Sequence, residues 1–408
     1  MLSLSLSRVL VPTSVAAAQP DTRRVAGSLL GVLSFVAFGL AALLAPPAVA
    51  VPLGFAALIY GVGSSASVIG RKDGVELGAA GAVGIGFSAW VLGGLAMVEA
   101  EFWHPTILVV LLVGASLVLH ARVLVPGVRN GAVQTVLRRA VQAANPDVRA
   151  GVSELVGLCC VAAFGYSLYQ ARHTRIGFEV PIGGYLTKIG VAWYLSLAVM
   201  IAAIAFYAWR RLAGGVLFAG LQLVSAVFAV PILVYSVPRS PAAQKHMDIV
   251  SFIIAHGKVD GIAGIYADWN GFFSGVAAAL DGVGDSSDRI RLETYWPLLM
   301  ALTTFAIVSA LCRIVGYDRL TGYLVGTVAC LANVLQQDYF SPQSMGYVLG
   351  LCLFAVCLAN PRPAATVDDV ILPSRRHPGF RLAWWQLWYA LIIATTIGWS
   401  HQFTPFAV

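Results

Sequence analysis

Charge is what this sequence has least of. Of its 408 residues only 11% are charged, against about a quarter in soluble domains, while 59% are hydrophobic. A water-soluble globular protein is thereby excluded. Several apolar runs of about 20 residues are each long enough to cross ~30 Å of hydrocarbon as a helix. They are apolar all round and show no period-two alternation, which excludes a membrane barrel. No P-loop or dinucleotide-binding glycine fingerprint occurs, nor a GxSxG elbow or an HExxH pair. No soluble domain is left over to hold ATP or a nucleotide sugar. The six cysteines, Cys159, Cys160, Cys312, Cys330, Cys352 and Cys357, all fall inside apolar runs. Neither a disulfide framework nor a zinc site fits that placement.

What is present is a polytopic bundle. Apolar stretches at roughly 25–45, 48–69, 77–98, 106–125, 151–170, 191–209, 215–236, 295–315, 322–336, 345–359 and 386–400 predict an all-α fold of about eleven transmembrane spans. The N-terminal stretch has an AAA but no basic n-region, and Arg8 interrupts it. It reads as a short cytoplasmic tail rather than a cleaved signal. The apolar character of the last residues, up to Val408, suggests a further helix beyond them.

Basic residues are scarce in alternate loops, and that scarcity orients the chain. Arg23 and Arg24, Arg71 and Lys72, the group from Arg122 to Arg149, Arg210 and Arg211, Arg313 and Arg319, and Arg362 to Arg381 all fall on one side. The positive-inside rule makes that side cytoplasmic, together with the N-terminus, in the cell membrane. Three polar islands then face the extracytoplasmic side: the loop 237–294, the QDYFSPQ turn near residue 337, and SHQFTP at 400–405. Residues 1–214 read as a scaffold module. Residues 215–408, which hold all three islands, read as the functional module.

Each island carries candidate chemistry. From Gln244 to His256 the spacing predicts an amphipathic helix lying on the membrane surface. Met247, Val250 and Ile254 share one face, Lys245, Asp248 and Ser251 the other, and Gly257 ends it. Asp248 is either a solvated neighbour of Lys245 or a carboxylate held at the water–lipid boundary. In YADWNGFF, Asp268 and Trp269 sit among aromatic residues that either anchor the chain at the interface or stack on a sugar. Arg289 and Arg291 are solvated charges or a phosphate clamp. Asp338, Tyr339 and Gln343 stand where Pro342 would end or kink a helix. An intramembrane carboxylate is a functional candidate, with helix capping by Asp338 or Ser341 as the alternative. His401 and Gln402 form the third mouth. Glu99, Glu101 and His104 are a rival group, two carboxylates and a histidine of the kind that suits a divalent cation. No metal ligands are assigned among the main candidates.

The succession AQKHMDIVSFIIAHG, YADWNGFF, QDYFSPQSMGYVLGL and SHQFTPF resembles that of actinobacterial polytopic membrane proteins of the GT-C glycosyltransferase-like class, over roughly residues 230–408. That resemblance implies a cell-envelope enzyme that takes a sugar from a polyprenyl-phosphate donor. It implies an outer-loop acid as general base, here Asp248 with Asp268 second and Asp338 as a further catalytic candidate. His246, Trp269, Arg289, Tyr339, Gln343 and His401 would bind or position donor and acceptor. A flippase or transporter of a lipid-linked substrate, and a non-catalytic envelope scaffold, are the competing readings.

Overall fold

The computed structural model describes residues 22–69, 78–144, 151–174, 185–235, 240–259, 266–281, 286–332, 339–359 and 384–401. Among them every regular element is helical. The order is α1 (Thr22–Leu44), α2 (Pro47–Ile69), α3 (Gly78–Glu99), α4 (Pro105–Arg129), α5 (Ala132–Ala144), α6 (Gly151–His173), α7 (Val191–Trp209), α8 (Ala213–Val234), α9 (Pro241–His256), α10 (Gly271–Leu280), α11 (Ser286–Ile314), α12 (Arg319–Leu331), α13 (Pro342–Leu358) and α14 (Trp384–Ser400). A helix lies along each of the eleven apolar stretches. Among the described residues, seven helices are long and apolar enough to cross a membrane: α1, α3, α4, α6, α7, α8 and the Arg291–Ile314 part of α11. The apolar parts of α2, α12 and α13 are shorter. This marks a multi-pass membrane protein. Leu43, Leu111, Leu158 and Leu195 stand exposed on α1, α4, α6 and α7, a disposition that suits a hydrocarbon surround and would be costly in water.

The helix ends follow from local chemistry. Pro105, Pro241 and Pro342 open α4, α9 and α13, where a missing N–H costs nothing. The Asp318 side chain accepts from the Thr321 amide at 2.8 Å and caps α12. Ser341 accepts from the Ser344 amide at 3.2 Å and caps α13. Pro342 therefore starts a helix here rather than ending one. Gly257 closes α9 at φ +68°, a left-handed conformation that a side chain would strain.

One large core joins α2 and α3 to α9, α10, α11, α13 and α14. Its centre is aromatic: Trp296 of α11 meets Phe55, Phe87, Phe272 and Phe340 with ring centroids 5.0–6.4 Å apart. The Trp296 indole N–H donates to the Ser344 hydroxyl at 2.7 Å, so the only polar atom of that ring is satisfied inside the core. A second cluster packs α6, α7 and α8 together with α12.

The loop 237–294 is more structured than its polar composition suggests. Its apolar stretch GFFSGVAAAL forms α10, and all ten residues are buried. At ten residues the helix is too short to span, and it inserts beside α3 instead. A Cβ on Gly275 would come 2.6 Å from the Val91 backbone, so the two helices touch through glycine, as small residues allow in membrane bundles.

A polar cluster at one end of the bundle

The amphipathic helix α9 forms as its spacing predicts, but its apolar face packs on protein. His246, Met247, Val250 and Ile253 are buried, and α9 lies against α10 and α11. His246 is the hub of what gathers there. Its Nδ1–H donates to the Phe340 carbonyl at 2.9 Å, across 94 residues of sequence. A carbonyl only accepts, so Nδ1 carries the proton and Nε2 is left as an acceptor, with the Tyr266 hydroxyl 3.4 Å away. The His246 ring stacks on Tyr339 at 6.1 Å, meets Tyr266 edge-on at 5.4 Å and leans on Phe273 at 5.6 Å. The Lys245 ammonium sits 5.0 Å over the Tyr266 ring, within cation–π range. The Tyr339 hydroxyl donates to Gln343 Oε1 at 3.3 Å. His401 lies close enough to affect the titration of His246. Residues from all three islands thus meet at one end of the bundle.

Two carboxylates stand on the helices nearby. Asp248 is exposed on α9 and interacts electrostatically with Glu293 of α11. Glu293 is only 3% exposed, and its Oε1 has no hydrogen-bond partner among the described residues. An unsatisfied buried carboxyl oxygen is costly and therefore informative. Glu293 is not among the candidates named from the sequence. A signal was present: Glu293 stands three residues before Trp296, hence on the same helical face as a core aromatic, and four after Arg289.

The remaining candidates are less central. Asp268 is exposed and Trp269 half-buried on the turn that presents Tyr266. Among the described residues no hydrogen bond, ion pair or ring contact ties either to His246. Arg289 is half-buried one turn before Glu293. Asp338 and Gln402 lie outside the described residues. Of the rival group, Glu99 is engaged otherwise: its Oε1 accepts from Asn270 Nδ2 at 3.2 Å. Asn270 also donates to the Ala267 carbonyl at 3.1 Å and accepts from Ser274 Oγ at 3.3 Å. This buried amide holds the 266–269 turn in place. Among the described residues, no three histidine, cysteine, aspartate or glutamate side chains are grouped to hold a metal ion.

The His246 ring is buried and both of its nitrogens are engaged. Burial above all, with the neighbouring Lys245 ammonium and His401 adding to it, holds its imidazole below the usual histidine range, against the opposing pull of the Phe340 carbonyl. Burial lowers His401 too. The fold therefore favours both rings neutral, whereas the unfolded chain takes up protons below about pH 6.5. Their stabilisation is complete above that pH and is lost as pH falls through the depressed folded values. The thermal midpoint of the detergent-solubilised protein is expected to drop between about pH 7.5 and about pH 5, and His246→Gln to flatten that drop. An unchanged slope in the variant would show that the acid sensitivity lies elsewhere.

The fold and the cluster define a class: an all-helical, multi-pass membrane protein that gathers carboxylates, a lysine, histidines and tyrosines at one end of its bundle. No protein-family model, curated protein or solved structure matches the chain.

Proposed function

We propose that this chain is an integral membrane glycosyltransferase that moves a sugar from a polyprenyl-phosphate donor to an envelope glycan or lipid acceptor at the extracytoplasmic face. The observation that carries this reading is the meeting of α9, the Tyr266 turn, the Tyr339–Gln343 segment and His401 around His246. The candidate carboxylates are Asp248 of α9 and Glu293 of α11, on two helices that pack against each other and with an electrostatic interaction between the two groups.

The chemistry asks for these groups. A carboxylate, Asp248 or Glu293, takes the proton of the acceptor hydroxyl as its oxygen bonds to the sugar C1. The bond from C1 to the donor phosphate breaks, and the polyprenyl phosphate leaves with the electron pair. Its developing negative charge needs a cation, and Lys245 stands on the helix that carries Asp248. Tyr266 and Tyr339 offer ring faces and hydroxyls to a pyranose. Asp268, Trp269, Arg289 and Gln343 are candidates for the outer part of the same surface, and Asp338 for a further acid.

The test supplies membranes containing the protein with a radiolabelled polyprenyl-phosphate sugar and envelope lipid extract. Label is expected to pass into an acceptor only when the chain is present. Label that stays on the donor over every acceptor fraction would count against the enzyme reading.

A second reading, movement of a lipid-linked substrate across the bilayer, draws on a polar group inside the spans. His120 of α4 is fully buried. Its Nε2 lies 3.4 Å from both the Ser64 hydroxyl and the Gly61 carbonyl of α2, and Ser65 donates to Ser116 at 3.3 Å nearby. Buried polar side chains within membrane helices are costly and commonly functional. On this reading, reconstituted protein moves a fluorescent polyprenyl-phosphate sugar between leaflets, and His120→Leu slows it. Equal movement in protein-free vesicles would dismiss it.

A further inference from the structure

The far end of the bundle carries a separate feature. α4 runs about 37 Å at 1.5 Å per residue. It begins beside Trp103, which packs against Gly257 at the end of α9. It finishes at Arg129, where Asn130 and Gly131 turn the chain into α5. Gly131 makes that turn at φ +74°. Between α1, α4 and the start of α5 lies a cavity of about 190 Å³.

Its lining is divided. Arg24 and Arg122 bring two guanidinium groups, and Asn130 adds a carboxamide. The Asn130 Oδ1 accepts from the Ala132 amide at 3.2 Å, which leaves the carboxamide N–H₂ to donate elsewhere. Val25, Val123 and Pro126 make the apolar part, and among the described residues no acidic side chain lines the space. Arg24 stands in the first turn of α1, so the positive end of that helix dipole adds to the field. The next element, α5, presents Arg138 to the exterior and buries Ala132, as a helix lying along a membrane surface would.

We propose that this cavity binds the phosphate of an anionic phospholipid headgroup. Guanidinium forks match phosphate oxygens in pairs. The apolar wall accounts for the choice of a lipid over a free anion, because inorganic phosphate has nothing to set against Val25, Val123 and Pro126. Basic pockets between membrane helices on an anionic leaflet take headgroups in this way. The site is independent of the carboxylate cluster and of the transferase reading.

The experiment uses the full chain, released from detergent in native mass spectrometry after incubation with phosphatidylglycerol, with phosphatidylcholine, or with inorganic phosphate alone. Phosphatidylglycerol is expected to stay bound preferentially. Arg24→Gln and Arg122→Gln should each weaken its retention roughly tenfold, as loss of a charge-assisted pair implies. Arg210→Gln, at the end of α7, should leave retention unchanged. Arg122 is exposed, so its variant keeps the test open if Arg24→Gln fails to fold. Equal retention of the two lipids, or arginine variants that behave like Arg210→Gln, would overturn the proposal. So would an arginine-dependent adduct of inorganic phosphate with no preference for the anionic lipid.

Discussion

On the transferase reading, Asp248→Asn and Glu293→Gln are each expected to cut sugar transfer by roughly 10²–10⁴-fold, the usual worth of a positioned proton acceptor. Each substitution keeps the shape of the side chain and removes its charge, so lost rate would report chemistry rather than packing. The two carboxylates differ in environment, and that predicts a difference between the variants. Asp248 is exposed, and its replacement should leave the fold untouched. Glu293 is buried with an unpartnered Oε1. Burial first, and Asp248 second, disfavour a charge at this position, so Glu293→Gln should match or exceed the parent in thermal stability while losing activity. Greater stability together with lower activity is the mark of a site held against its folding preference. The measurement pairs initial rates with polyprenyl-phosphate sugar and unfolding midpoints in one detergent. Rates within a factor of two to three of the parent for both variants, well under the usual general-base contribution, would remove these residues from the chemistry.

Gly86→Val is expected to cost about 3 kcal/mol or more, at the upper end of overpacking effects. α2 and α3 meet backbone to backbone. A Cβ on Gly86 would overlap the Ile59 carbonyl, and one on Gly63 would overlap the Ala82 carbonyl. These oxygens belong to helix hydrogen-bond ladders and cannot step aside as a flexible side chain can. Forcing the two helices apart would also spread Phe55 of α2 from Phe87 of α3, whose rings lie 6.1 Å apart against Trp296. That aromatic group supports the Phe340 backbone to which His246 is bonded, so site geometry should fail with the packing. Gly114→Val on α4 is the control, since nothing lies within 4 Å of its would-be Cβ. A Gly86 variant as stable and as well expressed as the Gly114 variant would show that the contact is softer than it looks.

Much of the architecture was legible in the sequence because it is set locally. Twenty apolar residues in a row make a helix whatever lies beside them, since backbone groups in hydrocarbon must bond internally. The placement of α1, α3, α4, α6 to α8 and α11 followed from that alone, whereas α2 and α12 to α14 lie along shorter apolar runs. The turn of α9 at Gly257, and the split between Met247 and Val250 on one face and Lys245 and Asp248 on the other, followed from spacing. The ten-residue α10 was missed because an apolar run that short within a polar loop carries no periodic signal strong enough to tell helix from coil.

What the sequence by itself determined is the class of protein: membrane helices, and polar islands interrupting them. What only the tertiary structure decided is which polar residues belong together. His246 is one polar residue among several along the chain and is the buried hub of the fold's polar cluster. Glu293 attracts no assignment along the chain and proves to be buried. The reason is range. Hydrophobic periodicity is written within a few residues, whereas the bond from His246 to the Phe340 carbonyl joins segments 94 residues apart and exists only once α9, α11 and α13 have packed around the same aromatic core.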